Sequence, residues 1–245
     1  MLHKYFKSLY QRTMEEAYSL AHTEMANALK ATKSTCLDCG AHNGYKYDTL
    51  HAIAGLEQDH YHGIEWNHDL TIEAQQKGLN VKQGDLNKPL PFDDNSFDCV
   101  YGLSVLEHLL NPCQFLRETH RVLNEGGTLV ILTPNISTFF TAALILTGKM
   151  PSSGPHPDSD QLLAQEELFK VSSEGLVPDT ETDTPIHRHL VVFSYRVLMS
   201  YIKTLGFKDV KGHGFGLYPF PNFMQPALEK IDPFHCHQMV IVARK

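Results

Sequence analysis

The feature that most constrains the fold is a short apolar run that meets two glycines. Residues 35–37 lead into Asp38, and Gly40 and Gly44 follow before a segment whose apolar residues recur at helical spacing. This order predicts a strand, a tight turn and a helix, because glycine adopts a positive φ at little steric cost. In an open α/β sheet, ligands bind beyond the carboxyl ends of the strands. We therefore expect the binding site of this chain at the glycine turn.

Further along the chain, predicted strands and helices alternate. Apolar residues at helical spacing predict a leading helix over residues 1–31. We expect further strands at residues 61–65, 79–83, 99–103, 128–133 and 236–244, with a strand beginning at residues 207–210. Strand–helix–strand units of this kind predict a parallel sheet with right-handed crossovers.

Composition and charge limit the class of protein. The chain has 245 residues, of which 42% are hydrophobic, and this suits a single domain with a sizeable core. A net charge of −7 without a basic run argues against a nucleic-acid partner. The sequence predicts no membrane span and no signal peptide. Five cysteines, an odd number, favour a reducing, cytoplasmic setting.

Two acids are placed where a nucleoside could bind. Glu65 ends the second predicted strand, so it should lie beside the glycine turn and accept hydrogen bonds from the vicinal hydroxyls of a ribose. Trp66 follows it and could cover an adenine ring or pack against a helix. Asp85 follows the third predicted strand, although Gly84-Asp85 alone is typical of an ordinary turn. These residues indicate a nucleoside site because they come at the ends of successive predicted strands.

Two motifs resemble those of a known family. The run Asp38-x-Gly40-x-x-x-Gly44 is similar to the first motif, D-x-G-x-G-x-G, of the class I S-adenosylmethionine-dependent methyltransferases. His42 stands in place of the middle glycine. The more specific string is LPFDDNSFDCVYGLSVLEHL, which resembles the fourth-strand signature of that family. The resemblance is strong over residues 35–135 and weak from residue 186 onward.

The resemblance implies an α/β fold with a single Rossmann-like, doubly wound, seven-stranded sheet. One late antiparallel strand and helices on both faces complete the expected architecture. We divide the single domain into four parts: an N-terminal helical segment at 1–31, a cofactor-binding core at 35–135, a lid or substrate insertion at 136–186, and a C-terminal helix and hairpin at 187–245. The Gly/Pro/aromatic stretch at 212–223 is predicted to be a loop on the far wall of the acceptor pocket.

The resemblance also implies S-adenosyl-L-methionine as the cofactor and S-adenosyl-L-homocysteine as the product. Asp85 would accept a hydrogen bond from the adenine amino group. The remaining residues expected around the cofactor are Asp38, Gly40, Gly44, Glu65, Trp66, Leu86, Gly102 and Leu103.

The acceptor is less defined by the sequence than the cofactor. We expect a small-molecule, sugar or lipid-like acceptor, methylated preferentially at oxygen, and the sequence leaves a homodimer open. A base would assist a hydroxyl acceptor. His189 and His187 are the favoured candidates because both border the expected lid, while His108 and His213 are weaker ones.

Besides methyl transfer, two other functions stay open, and no metal site is expected. No Cys, His or Asp cluster has metal-ligand spacing, and Cys36-x-x-Cys39 is interpreted as two buried residues, so no metal is predicted. A nicotinamide-dependent oxidoreductase would also use a glycine turn, but it favours a middle glycine. A non-catalytic, methyltransferase-like binding protein is the third possibility.

Overall fold

Seven strands form the centre of the molecule. The computed structural model describes residues 2–31, 33–159 and 188–245. The strands are β1 Cys36–Cys39, β2 Tyr61–Glu65, β3 Asn80–Gln83, β4 Phe97–Leu103, β5 Leu123–Pro134, β6 Lys208–Phe215 and β7 Gln238–Arg244. Their order in the sheet is β3-β2-β1-β4-β5-β7-β6. Strand β7 is antiparallel to both of its neighbours and the other pairs are parallel, as expected from the sequence.

Helices connect the strands. In the described residues they are α1 Leu2–Ala28, α2 Tyr45–Ala54, α3 His68–Gln76, α4 Pro112–Val122, α5 Phe139–Leu146, α6 Tyr195–Thr204 and α7 Gln225–Ile231. Short 3₁₀ turns lie at Gln58–His60, Leu106–His108 and Pro233–His235. Local signals set several boundaries. Gly55 ends α2 with a φ of 67°, and the Asn67 side chain caps α3 by accepting from the Leu70 N–H.

Each face of the sheet has its own apolar core. Leu37, Cys39 and Val100 lie in one core with residues of α4 and α6. Cys36 and Tyr101 lie in the other, which is covered by α1, α2 and α3. This division follows from the alternation of side chains along a strand. It places Cys36 and Cys39 on opposite faces, which agrees with interpreting both as buried packing residues.

Helix α1 covers the second core. Its residues Ala17, Ala21 and Met25 are completely buried at helical spacing. At the carboxyl edge of the sheet, the Tyr18 hydroxyl lies 3.3 Å from the Ser104 Oγ atom. The leading helix predicted from the sequence is confirmed, and it both closes the core and reaches the end of β4.

The structure differs from the sequence prediction around residues 212–215. These residues belong to β6 and pair with β7 instead of forming a loop. Glycine is depleted in strands, which is why the stretch resembles a loop. At Gly214, however, a Cβ atom would lie 2.8 Å from Cys236 Cβ, so glycine is required by the close approach of the chain.

Only part of the expected lid can be described. Helix α5 lies within the insertion expected at 136–186, whereas residues 160–187 lie outside the described residues. Among the described helices, none combines the length and the apolar character that crossing a membrane requires.

Candidate active site

The glycine turn joins the ends of β1 and β2. Gly40 and Gly44 have φ values of 78° and 79°, as their sequence positions predict. The N–H groups of Gly40 and Ala41 both donate to the Ile64 carbonyl, at 2.9 and 3.0 Å. A Cβ atom on Gly40 would lie 2.6 Å from Val105 Cγ2. The missing side chain at Gly40 thus makes room for Val105, and the turn is shaped by packing as well as by backbone conformation.

Glu65 is fixed at this turn by backbone hydrogen bonds. One carboxylate oxygen accepts from the His42 N–H at 2.8 Å. The other accepts from the Asn67 N–H, also at 2.8 Å. A carboxylate offers about four acceptor positions, so these two bonds orient Glu65 without using its full capacity. The side chain is half-buried, at the edge where the parallel strands end.

The tip of β3 lies next to Glu65. The Gly84 N–H donates to the Glu65 carbonyl at 2.9 Å, which brings Asp85 and Leu86 to the same edge. One Asp85 oxygen accepts from the backbone and the side chain of Asn87, at 2.9 and 3.0 Å. Leu86 is buried, whereas Trp66 is 71% exposed. The tryptophan therefore does not serve as a buried packing residue, and its ring is accessible at the edge.

Asp38 lies beneath the glycine turn and is completely buried. Its carboxylate accepts from Lys46 Nζ at 3.1 Å and from the Tyr61 hydroxyl at 2.8 Å. Lys46 also donates to the Gly40 carbonyl at 2.7 Å. Burial alone would lower the pKa of Lys46, but Asp38 more than offsets this, so the pKa is raised and the ammonium stays charged. Asp38 thus stabilises the glycine turn indirectly, through Lys46, and its side chain is not accessible at the carboxyl edge of the sheet.

Sequence reasoning missed Lys46. A lysine in the first turn of a predicted helix is normally exposed, since burying an ammonium is costly unless it is paired. The pairing partner lies on the strand before the turn, eight residues earlier. A lysine at this spacing from a strand acid is a weak signal that could have indicated the pair.

A second group of polar residues lies beyond the ends of β4 and β5. Gly102 and Leu103 end β4 as buried residues, and the chain then turns into Leu106–His108. Glu107 in this turn is 2% exposed and accepts from the Thr133 hydroxyl of β5 at 2.9 Å. Burial raises the pKa of Glu107, an effect that nearby His189 opposes.

His189 packs against this turn from a distant part of the chain. Its Nδ1 atom lies 2.8 Å from the Ser153 carbonyl, and the next residue, Leu190, donates its N–H to the Glu107 carbonyl at 2.7 Å. The His189 ring lies 5.0 Å from that of His108 and stacks on that of His156 at 4.7 Å. Burial lowers the pKa of His189, so its imidazole is neutral at pH 7.

The other histidines named from the sequence have different positions. His187 lies outside the described residues. His213 lies on β6, the edge strand, three positions from β4 in the sheet order. His108 is adjacent to Glu107, and its Nδ1 atom lies 3.1 Å from the Arg188 carbonyl. The structure thus brings His108 and His189 together and separates His213 from them.

The sequence predicts no metal, yet three metal-binding side chains meet at this second group. Glu107, His108 and His189 each place one ligand atom within 4.8 Å of the others. No sequence spacing indicates this set, because His189 is 81 residues from His108 in the chain. We call these three residues the EHH cluster.

A surface cleft lies elsewhere on the molecule. It has a volume of about 530 Å³ and is lined by residues that include His62 and Phe97. These residues lie near the amino ends of β2 and β4. Ligands of open α/β sheets bind at the opposite, carboxyl ends, so we place the candidate site at the glycine turn and the EHH cluster.

Comparisons with known proteins identify the same region of the chain. Residues 37–131 match the family described as a methyltransferase domain. A probable S-adenosylmethionine-dependent methyltransferase from Mycolicibacterium smegmatis is 33% identical over 107 residues, which cover 42% of this chain and 39% of that protein. Over residues 37–131 the chain is similar to S-adenosylmethionine-dependent methyltransferases.

Further relatives support the assignment to this family. A ubiquinone biosynthesis O-methyltransferase from Ruegeria pomeroyi is 30% identical over 113 residues, which cover 44% of this chain and 45% of that protein. The chain therefore matches less than half the length of these curated relatives. A solved S-adenosylmethionine-dependent methyltransferase from Mesorhizobium loti covers 92% of this chain and 98% of its own with a TM-score of 0.55. At 14% identity, this likeness shows the shared fold.

The family and the fold imply S-adenosylmethionine as the cofactor, and the donor set at the carboxyl edge fits it. Carboxylate oxygens are the acceptors that ribose hydroxyls and an adenine amino group require. Glu65 and Asp85 provide them on adjacent strand tips, linked by the Gly84 hydrogen bond. Leu86 and Trp66 supply apolar surface next to these acids.

Proposed function

We propose that this methyltransferase transfers a methyl group from S-adenosylmethionine to the oxygen of a small-molecule, sugar or lipid-like acceptor. The observation that carries the proposal is the pair of acids Glu65 and Asp85, held side by side at the ends of β2 and β3. The bound cofactor supplies an activated methyl group: a bond forms from the acceptor oxygen to the methyl carbon, the sulfur–methyl bond breaks with its electrons remaining on sulfur, and the acceptor loses its proton.

The chain's own residues would orient the cofactor. Glu65 would accept from both ribose hydroxyls, since its carboxylate is already fixed by two backbone N–H groups. Asp85 would accept from the adenine amino group, with Leu86 and the exposed Trp66 ring against the base. Gly102 and Leu103, at the end of β4, would contact the methionine part through their backbone.

The acceptor would lie between the end of β4 and His189. In-line placement of acceptor and cofactor, together with exclusion of water, is the main contribution that a protein makes to such a displacement. His189 would promote loss of the acceptor's proton, because its buried imidazole is neutral at pH 7. His187, two residues earlier, stays a second candidate on sequence grounds alone. Oxygen is favoured because the relative from Ruegeria pomeroyi is named an O-methyltransferase.

The setting of the enzyme is also a proposal. All five cysteines are free in the described structure. Free, mostly buried cysteines agree with a reducing compartment, so we propose a cytoplasmic protein, and the net charge of −7 favours one without a nucleic-acid partner. A homodimer stays open.

Calorimetric titration with S-adenosylhomocysteine tests the proposal directly. We expect binding at one site per chain, with no comparable heat from a nicotinamide dinucleotide. Binding of the dinucleotide alone would favour the oxidoreductase. Binding of neither would favour a methyltransferase-like protein without cofactor. Once binding is shown, transfer of a labelled methyl group to a panel of phenols, sugars and amines identifies the acceptor atom.

A further inference from the structure

The EHH cluster has the donor chemistry of a transition-metal site. Two imidazoles and one carboxylate form the facial set that binds divalent first-row metals and leaves further positions open. Donor atoms bound at about 2.1 Å lie about 3–4 Å from one another around such an ion. Those of Glu107, His108 and His189 already lie within 4.8 Å of one another, so small rotations of the side chains would close the set.

Each of the three side chains also has a hydrogen-bonding partner outside the cluster, here called its outer partner, that orients it. A carbonyl oxygen can only accept, so Nδ1 of His189 donates to Ser153 at 2.8 Å and Nδ1 of His108 donates to Arg188 at 3.1 Å. Both rings therefore carry their lone pair on Nε2. Metal-binding histidines usually have this second hydrogen bond. The Thr133 hydroxyl, at 2.9 Å, plays the same part for the Glu107 carboxylate.

Electrostatics favours a cation at this place. Glu107 is buried without a lysine or an arginine among its hydrogen-bonding partners in the described residues. A buried carboxylate is costly unless it is paired or binds a metal.

We propose that Glu107, His108 and His189 bind one divalent transition-metal ion, such as Zn²⁺, at the acceptor end of the site. This proposal rests on the proposed function and sharpens the role of His189 from base to ligand. The open positions of the ion would bind an acceptor that carries a hydroxyl next to a second oxygen, as in a vicinal diol or a catechol. A cation lowers the pKa of a hydroxyl bound to it, so the proton would leave to solvent and the oxygen would keep its electron pair for the methyl group.

Metal titration of the protein without a polyhistidine tag tests the proposal. After treatment with EDTA and its removal, wild-type protein is titrated with Zn²⁺, and separately with Co²⁺ to follow its visible absorption. We expect one tight Zn²⁺ per chain, with Mg²⁺ much weaker because the site supplies two nitrogen donors. His189→Ala and Glu107→Gln should weaken Zn²⁺ binding by more than about 100-fold, beyond what loss of an outer partner causes.

The chain has 15 histidines, so a matched control is needed to separate this site from adventitious surface binding. His120, a half-buried histidine that packs against Phe207 at 4.8 Å, lies outside the EHH cluster. His120→Ala should retain the tight site. Failure of wild-type protein to bind Zn²⁺, or equal binding by wild type and His189→Ala, would overturn the proposal. In parallel, the protein is titrated with S-adenosylhomocysteine in the presence of EDTA. Absence of binding in this titration would count against the proposed function, whereas the Zn²⁺ titration tests the metal site separately.

Discussion

The two halves of the carboxyl edge are held in different ways. At the cofactor half, the side of the glycine turn that we propose binds the cofactor, both Glu65 oxygens accept from backbone N–H groups, at His42 after β1 and at Asn67 after β2. At the acceptor half, Glu107 and His189 are fixed by Thr133 and Ser153, which belong to separate parts of the chain. Backbone N–H groups in the turns that follow two paired strands are fixed in place once those strands pair. The acceptor half, the side beyond β4 and β5 that we propose binds the acceptor, instead depends on contacts with the distant segment that contains His189.

The largest expected effect is on turnover and concerns the acceptor half. His189→Ala should reduce methyl transfer by about 10²–10⁴-fold, the usual contribution of a group that assists proton transfer. Affinity for S-adenosylhomocysteine should remain at the wild-type value, because His189 packs against Ser153, His156 and His108, whereas Glu65 is held by His42 and Asn67. Steady-state kinetics and calorimetry on the same preparation measure both quantities. Turnover close to wild type would show that His189 takes no part in the reaction. A loss of cofactor affinity together with turnover would show that the cofactor half and the acceptor half are not independent.

The difference between the halves also explains what the sequence could predict. Asp38 lies in β1, Glu65 ends β2 and Asp85 follows β3, all within about fifty residues, so the order of the strands alone brings them to the same end of the sheet. The contact between His189 and Ser153 spans 36 residues, and that between His108 and Arg188 spans 80. No periodic pattern encodes such contacts. They follow from tertiary packing, and for this reason the EHH cluster was absent from the sequence prediction.

Burial was equally hard to predict for single side chains. Asp38 is correctly placed on β1, but its side chain faces the core with Lys46 instead of the edge. The sequence places Asp38 near the end of a strand. The orientation of its carboxylate depends on its hydrogen-bonding partners Tyr61 and Lys46. The late strand β6 shows the same limit, because its glycines pair with β7 under a close approach that composition does not reveal.

The second prediction concerns the stability of the cofactor half. Lys46→Met leaves the Asp38 carboxylate buried without its ion partner, and breaking a buried pair from one side costs about 3–5 kcal/mol in the free energy of unfolding. Denaturant unfolding measures this loss. The double variant Lys46→Met with Asp38→Asn should recover most of it, because the uncompensated charge is gone. If Lys46→Met were as stable as wild type, the Asp38–Lys46 pair would not contribute to the stability of the glycine turn.

The third prediction uses pH to examine the acceptor half. Burial, with a smaller effect of nearby His189, lowers the pKa of His237 to about 4. Unfolded histidine has a pKa of about 6.5. Above that value neither state is protonated, so stability does not change. Below it the unfolded state binds a proton that the folded state excludes, and the free energy of unfolding falls until about pH 4.

This loss amounts to about 2–4 kcal/mol for His237 alone. Denaturant unfolding between pH 7.5 and 4.5 measures it. His237→Phe retains an aromatic ring against Tyr218, whose centroid lies 5.0 Å away, and should show a smaller dependence on pH over this range. Equal slopes for the variant and the wild type would mean that His237 titrates normally in the folded protein.

The smallest expected effect returns to the cofactor half. Glu65→Ala should weaken binding of S-adenosylhomocysteine by about 1–3 kcal/mol, the cost of leaving polar groups without their partners. Glu65→Gln is the sharper companion variant, because it retains a side-chain carbonyl for one hydroxyl but loses the charge, so its affinity should be intermediate. Calorimetry gives both values, and Zn²⁺ binding in the same variants should stay at the wild-type level. The Glu65 carboxylate accepts hydrogen bonds from His42 in the glycine turn and from Asn67 at the cap of α3. Unchanged cofactor affinity in Glu65→Ala would show that the nucleoside does not bind at the tip of β2, and the division of the edge into two halves would lose its basis.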